Sequence, residues 1–565
     1  MKYSRNALVR IVVVIAALAL LLAACGSSSK GSSGNSPTTV AAKSGGDAVF
    51  GAEQWPDCIN PITQCANSSW LQWLVPIHVL PRLMELDAKN NFVPSPLLAG
   101  APTVSAGPPM TVTYKLNPDA KWEPDGTPIT SADVAFTEQA YLKTKGSLST
   151  AGYDQIKTVG TPDATTVVLT FSKPYADWQD VLGGFSGVIL EKAKFPNGPD
   201  TSNTMATSIP FSGGPWILSS FSKSQEILLP NKNYWATDRV PHLDKVTFIP
   251  LTETNQEVQN LKTGQVAAIY PQPVVDNVKA LVGQPGIKTT FGPTTQYEDI
   301  WFNEKPGKPF SDKNLRAAFS YAFDRDKFLT DIVKPFDPTV TELNCAAWLP
   351  SVGSWCTNTD FAGLKADPTK VASFMAAAGY AKDSSGIWAK GGTELTLHWM
   401  ENTGNARREA TQKEFIPLLA AQGFKVATDN SDADTMFQQR LPKGDYDFSM
   451  FIEVTSPDPT VTSILSTPQI PSAANQGNGQ NDFWYSNPAA DALMTKSDAE
   501  VVDTSAREDE IHQLDGILAQ DYVNIPLYAF PAMGSWNTGQ ITGPIDAFIN
   551  NPESIFWNMY AWSKP

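Results

Sequence analysis

The sequence predicts an α/β fold on three observations. A strand (Lys245–Pro250), a short helix (Gln256–Thr263, stopped by Gly264) and a second strand (Val266–Tyr270) follow one another closely, the signature of α/β units. Helix-opening signals alternate with period-2 apolar runs along the rest of the chain. The 565 residues are 42% hydrophobic and 10% aromatic, enough for packed cores and, at ~150 residues per domain, for three or four structural units.

The N-terminal elements set the compartment. Lys2, Arg5 and Arg10 precede the apolar run Ile11 to Leu22, which has the length of a signal-peptide core rather than of a ~20-residue membrane span. It ends in Leu22-Ala23-Ala24-Cys25, which resembles the lipobox of bacterial lipoproteins, where the Cys is lipidated and becomes the new N-terminus. Residues 1–24 are therefore read as a signal peptide, and 25–46 as a lipidated Cys25 followed by a Gly/Ser/Thr tether reaching on the order of 25 Å. The expected location is the outer face of the cell membrane, in the envelope or periplasmic space, held by acyl chains. Processing removes three positive charges and no negative ones, so the net charge moves from -15 to -18. That balance argues against a nucleic-acid partner, which needs a basic face.

Export also decides how the cysteines are read. With Cys25 taken by lipid, Cys58, Cys65, Cys345 and Cys356 remain, and the two local pairings Cys58 to Cys65 and Cys345 to Cys356 cost least to close. Their spacing does not match a zinc site, and His78, His242, His398 and His512 are scattered, so neither a metal nor a cofactor is expected.

Further along, Thr111 to Leu116 and Thr165 to Phe171 alternate as strands. Thr130-Ser131-Ala132-Asp133 reads as a capping box opening a helix through Val134, Phe136 and Tyr141. After Ser311-Asp312, the residues Leu315, Ala318, Phe319, Ala322 and Phe323 form one helical face. Asp367 before Pro368 caps another helix that Gly379 stops, and Ser505-Ala506-Arg507-Glu508 reads as a further capping box. Phosphate loops, dinucleotide fingerprints and nucleophile elbows are missing, so an enzyme is not expected.

A series of motifs then runs in order. It begins with Trp122-Glu123-Pro124-Asp125-Gly126-Thr127-Pro128-Ile129-Thr130-Ser131-Ala132-Asp133-Val134-Ala135-Phe136 and Gly213-Gly214-Pro215-Trp216. It continues through Leu261-Lys262-Thr263-Gly264, Trp301-Phe302-Asn303 and Leu315-Arg316-Ala317-Ala318-Phe319 to Asn487-Pro488 and Ile525-Pro526-Leu527-Tyr528. Together these resemble family 5 extracellular solute-binding proteins, the oligopeptide- and dipeptide-binding components of ABC importers. The resemblance implies a two-lobed clamp of the periplasmic-binding-protein type (type II-like). Lobe one would comprise 47–75, 204–296 and 525–565, with an extra subdomain inserted at 76–203. Lobe two would be 297–524, with the hinge near Gln296 and Asn524.

The same resemblance implies a monomer that captures a peptide, or another small solute, in the interlobe cleft and hands it to separate permease and ATPase subunits. Relatives hold the peptide ammonium with an Asp three residues before the acidic residue of an acidic-Pro pair. Here the pair resembles Asp458-Pro459, so the corresponding residue is Thr455, which is uncharged, and Glu453 lies close enough to take its place. Trp399 and Asn402 at a strand end, and Tyr528 and Phe530 on the returning strand, complete the expected ligand set. The alternatives are a non-peptide cargo (metal chelate, haem, oligosaccharide or glycolipid) or an envelope-assembly lipoprotein without import.

Overall fold

The structure, a computed structural model, describes residues 44–67, 70–184, 187–545 and 554–565. The signal peptide, Cys25 and nearly all of the tether lie outside the described residues.

A ten-stranded mixed sheet forms the spine. In spatial order its strands are Lys425–Thr428, Thr396–Met400, Phe448–Val454, Ile287–Phe302, Asn524–Asn537, Ala268–Ile269, Asp47–Ala52, Lys245–Pro250, Glu226–Pro230 and Trp216–Phe221. The two long central strands pair antiparallel with each other from Ile287 opposite Asn537 to Trp301 opposite Asn524. Their register shifts between Pro293 and Tyr297 and again between Glu298 and Asp299. Beyond the shift, Gln296 to Phe302 pair with Phe448–Val454 on their other side, whereas Ala268–Ile269 pairs with the far end of Asn524–Asn537, at Ser535 and Trp536.

Two lobes result, each with its own apolar core. One gathers Phe50, Phe248, Phe556 and Trp562, and the other Trp301, Phe319, Trp399 and Phe448. Ile525, Leu527, Tyr528 and Phe530 belong to the second core, while Ala532 and Trp536 belong to the first. The return crossing is therefore at Phe530–Ala532, a correction to the expectation of a hinge near Asn524 with 525–530 in lobe one. The cause is the antiparallel pairing, which sets the start of the returning strand beside the end of the outgoing one.

The inserted subdomain is a four-stranded sheet in the order Thr103–Ser105, Thr111–Lys115, Thr166–Phe171, Ile156–Asp163, packed with the helix Ser131–Lys143. Val112 and Tyr114, and Val167, Leu169 and Phe171, are buried as the alternation predicts. The helix begins where Asp133 accepts hydrogen bonds from the Thr130 backbone N–H at 2.8 Å and from its hydroxyl at 3.0 Å.

In the second lobe, Asp312 caps Lys313–Ala322 and Asp367 caps Pro368–Ala377 through backbone N–H groups of the first turn. Helix Thr504–Asp521 departs from expectation: its cap is Asp503, which accepts from the Ala506 N–H, and Ser505 lies inside the first turn. An ionised cap also complements the positive end of the helix dipole. Gly264 ends Thr254–Thr263 at φ +75°, where a side chain would be strained. Two disulfides join Cys58 to Cys65 (Cα–Cα 5.7 Å) and Cys345 to Cys356 (5.9 Å).

Candidate ligand-binding site

Both lobes and the inserted subdomain contribute walls to one cavity of about 280 Å³. Gln54, Tyr270 and Gln272 come from lobe one, Tyr153, Tyr175, Asp177 and Asp180 from the insert, and Tyr297, Glu453, Thr455 and Asp482 from lobe two. The sheet explains the last group. Strand Phe448–Val454 ends at the cavity, so Glu453 sits opposite Tyr297 on the outgoing central strand, and the Thr455 N–H donates to the Thr295 carbonyl at 2.8 Å.

The electrostatics of this wall are acidic. Burial pushes the Glu453 carboxyl up to about 8. Asp482 is raised well above the usual carboxylate range by burial and by Glu453 beside it. Asp180 is pushed up to about 6 by burial, and Asp177 further by burial together with Asp458 and Asp180. Arg408 also lines the cavity, but its Nε donates to Glu298 at 3.1 Å and its Nη1 to Asn402 at 2.6 Å.

Of the six ligand residues expected from sequence, Glu453 and Thr455 reach the cavity. The other four lie behind its wall, which corrects that part of the expectation. Trp399 is fully buried, tilted on Phe448, with its indole N–H donated to Glu401 at 2.5 Å. The Asn402 carbonyl accepts from Arg408, the Tyr528 hydroxyl donates to Glu298 at 3.0 Å, and Phe530 lies under the Arg407 guanidinium at 5.1 Å. The helix Ala406–Ala421 brings Arg407 and Arg408 against Asn402, Phe530 and Glu298, so these side chains serve a buried charge network.

That network centres on Glu298, which accepts from both Arg407 and Arg408. Burial alone would raise its carboxyl, but the two guanidiniums hold it below the usual range. Arg407 also donates to Gln272 of lobe one at 3.2 Å, so the network reaches across the cleft. Asp177, Asp180 and Asp482 were not singled out from sequence; they sit in turns, outside any helix or strand pattern. The one signal was their company: Tyr175 and Val181-Leu182 around the first two, Phe483 beside the third.

Two lobes joined by a paired double crossing, around a cavity walled by both, define a solute-binding clamp. The family model of bacterial extracellular solute-binding proteins, family 5 (Middle), matches residues 93–472, more than half of the chain, and the chain belongs to that family. Membership makes it an exported binding protein that works at a membrane rather than an enzyme. It is 24% identical over 434 residues to the oligopeptide-binding protein OppA of Mycobacterium tuberculosis (strain ATCC 25618 / H37Rv), covering 75% of this chain and 70% of that one. Its fold is similar to that of the oligopeptide-binding protein AppA from Bacillus subtilis in complex with a nonapeptide (TM-score 0.82, 22% identity, 93% of this chain and 100% of that chain). It is also similar to that of NikZ from Campylobacter jejuni in complex with Ni(L-His) (TM-score 0.77, 18% identity, 92% and 99%).

Proposed function

We propose that the protein is the cargo-binding subunit of an ABC peptide importer and that it encloses a short peptide between its lobes for delivery to permease and ATPase subunits. The observation that carries this reading is Glu453, a carboxylate on the cavity wall two residues before Thr455. A partly buried carboxylate, desolvated and without a partnered cation, is the recognition element a peptide ammonium requires. The relation to a protein named for oligopeptide binding supports the same class of cargo. A volume of about 280 Å³ lies at the small end of ligand cavities, which favours a short peptide over a long one.

In this reading Glu453 and Thr455 contact the cargo. Trp399, Asn402, Tyr528 and Phe530 position Arg408 and the wall from behind. Lipid on Cys25 keeps the body at the outer membrane face, and one copy suffices for capture. Native mass spectrometry of the protein as purified tests the cargo class. Retained masses of short peptides are expected; a metal chelate, haem or glycolipid mass would replace the peptide reading.

A further inference from the structure

Two pairs of carboxylates line the cavity from different parts of the fold. Asp177 and Asp180 follow strand Thr166–Phe171 of the insert, and Glu453 and Asp482 belong to the second lobe. Asp177 is 5% exposed and Asp482 3%, and in each the Oδ1 atom has no hydrogen-bond partner. Buried acceptors are almost always satisfied in folded proteins, so these acceptors on the cavity-lining residues are open to a donor brought by what the cavity holds.

The surrounding groups do not supply those donors. Arg408, the basic residue among those lining the cavity, is engaged by Glu298 and Asn402. Arg507, which faces Asp177, is bidentate on Asp458 at 2.6 and 2.7 Å. The Tyr175 hydroxyl reaches Asp177 Oδ2 at 3.4 Å, Ser456 reaches Asp180 at 2.7 Å, and the Asp498 carboxylate is held by Thr460 and Thr462. Around Glu453 stand Tyr297, Asp299 and Asp482, none of them cationic. Asp180 raises Asp177 and is itself lowered by a side-chain hydrogen bond with it, while Glu453 raises Asp482, so the acidic groups fall into two pairs from different parts of the fold. Among the described residues no three of His, Cys, Asp and Glu come together in a way that could hold a metal ion. Two monovalent cations some distance apart match this arrangement better than one compact divalent ion.

We propose that the cavity selects dicationic cargo, a short peptide whose terminal ammonium sits on Glu453 and Asp482 and whose Lys or Arg side chain sits on Asp177 and Asp180. This rests on the peptide reading above. Tyr153, Tyr175, Tyr270 and Tyr297 line the same cavity and give its wall aromatic surface against which the apolar stem of such a side chain can pack. Because burial raises the Glu453 carboxyl to about 8 and the Asp180 carboxyl to about 6, an arriving cation displaces protons, chiefly at Glu453 near neutrality, and affinity falls as the pH drops from about 8 to about 6.

Titration calorimetry on the full chain with Ala-Lys-Ala, Ala-Met-Ala and 1,5-diaminopentane, in two buffers of different ionisation enthalpy, tests the proposal. Ala-Lys-Ala is expected to bind about 10-fold tighter than Ala-Met-Ala or better, and to release more protons. In Asp177→Asn, and independently in Asp180→Asn, that preference should shrink to about threefold or less. Equal affinity and equal proton release for the two tripeptides would overturn the proposal while leaving the peptide reading intact. Binding of the diamine but of neither tripeptide would overturn the peptide reading instead, a different outcome from the first.

Discussion

The Ser456 hydroxyl donates a 2.7 Å hydrogen bond to Asp180, tying the second lobe to the inserted subdomain. Next to it the Ala176 N–H donates to the Asp498 carbonyl at 2.6 Å. Closure of this clamp is thus a contact between lobe two and the insert as well as between the two lobes.

If that contact holds the closed form, Ser456→Ala should speed cargo release. Loss of one hydrogen bond of ordinary strength predicts a roughly 2- to 10-fold rise in the dissociation rate by stopped-flow, with little change in association. An unchanged dissociation rate would show that the contact does not contribute to closure.

Glu453→Gln keeps the side chain's shape and removes its charge. Affinity for a free-amine peptide should fall by about 10- to 150-fold, the equivalent of a charge-assisted contact of roughly 1.5 to 3 kcal/mol. The N-acetylated form of the same peptide should be nearly indifferent. Equal losses for both peptides by calorimetry would remove Glu453 from ammonium recognition.

The cargo-free protein should lose stability as the pH rises. Asp180 and Glu453 have carboxyls raised by burial to about 6 and about 8, as does Glu401, raised to about 8 by burial against the opposing pull of Arg408. Each binds its proton more tightly folded than unfolded. Its contribution is therefore fully present below the ordinary carboxylate range and is lost as the pH climbs through the folded value. Differential scanning calorimetry between about pH 5 and pH 9 should show a falling Tm, and a basic tripeptide should recover more of it at the alkaline end. A Tm that rises across this window would contradict the assignment of buried, protonated carboxyls.

Glu298→Gln should destabilise the second lobe. It leaves Arg407 and Arg408 buried without their shared counter-charge, and breaking a buried charge network from one side costs about 3 to 5 kcal/mol. Urea unfolding would report it as a lower midpoint, and a shift under about 1 kcal/mol would mean that water or a rearranged Glu401 replaces the lost charge.

Cys25→Ala tests the anchor. The variant should remain unprocessed or be released, and no longer sediment with membranes. Fractionation and size identical to the parent would reject lipidation at Cys25.

Legibility of the sequence followed the range of the interaction. Caps such as Asp312 and Asp367, and the buried alternation of Val167, Leu169 and Phe171, depend on neighbours a few residues away and could be read directly. The α/β class and the family pattern were likewise legible. The 16-residue strand Ile287–Phe302 was not, since Gly292-Pro293 interrupts its alternation and only pairing with a partner more than 200 residues away keeps it extended. At the site, Glu453 could be placed by counting along one strand. Asp177 and Asp180 could not, because the groups that set their surroundings, Ser456 and Asp458, lie far away in the chain. Trp399 misled for the opposite reason: a strand-end aromatic looks like a platform until the helix packed on that face is known.

The two central strands are hydrogen-bonded to each other across the boundary between the lobes rather than crossing as independent linkers. A paired ribbon resists shear and splay but yields to torsion, most readily at the register shift between Pro293 and Tyr297 where ladder bonds are interrupted. The lobes should therefore part by a screw-like rotation about a single axis. A permease that senses the angle between them would then read one coordinate rather than several.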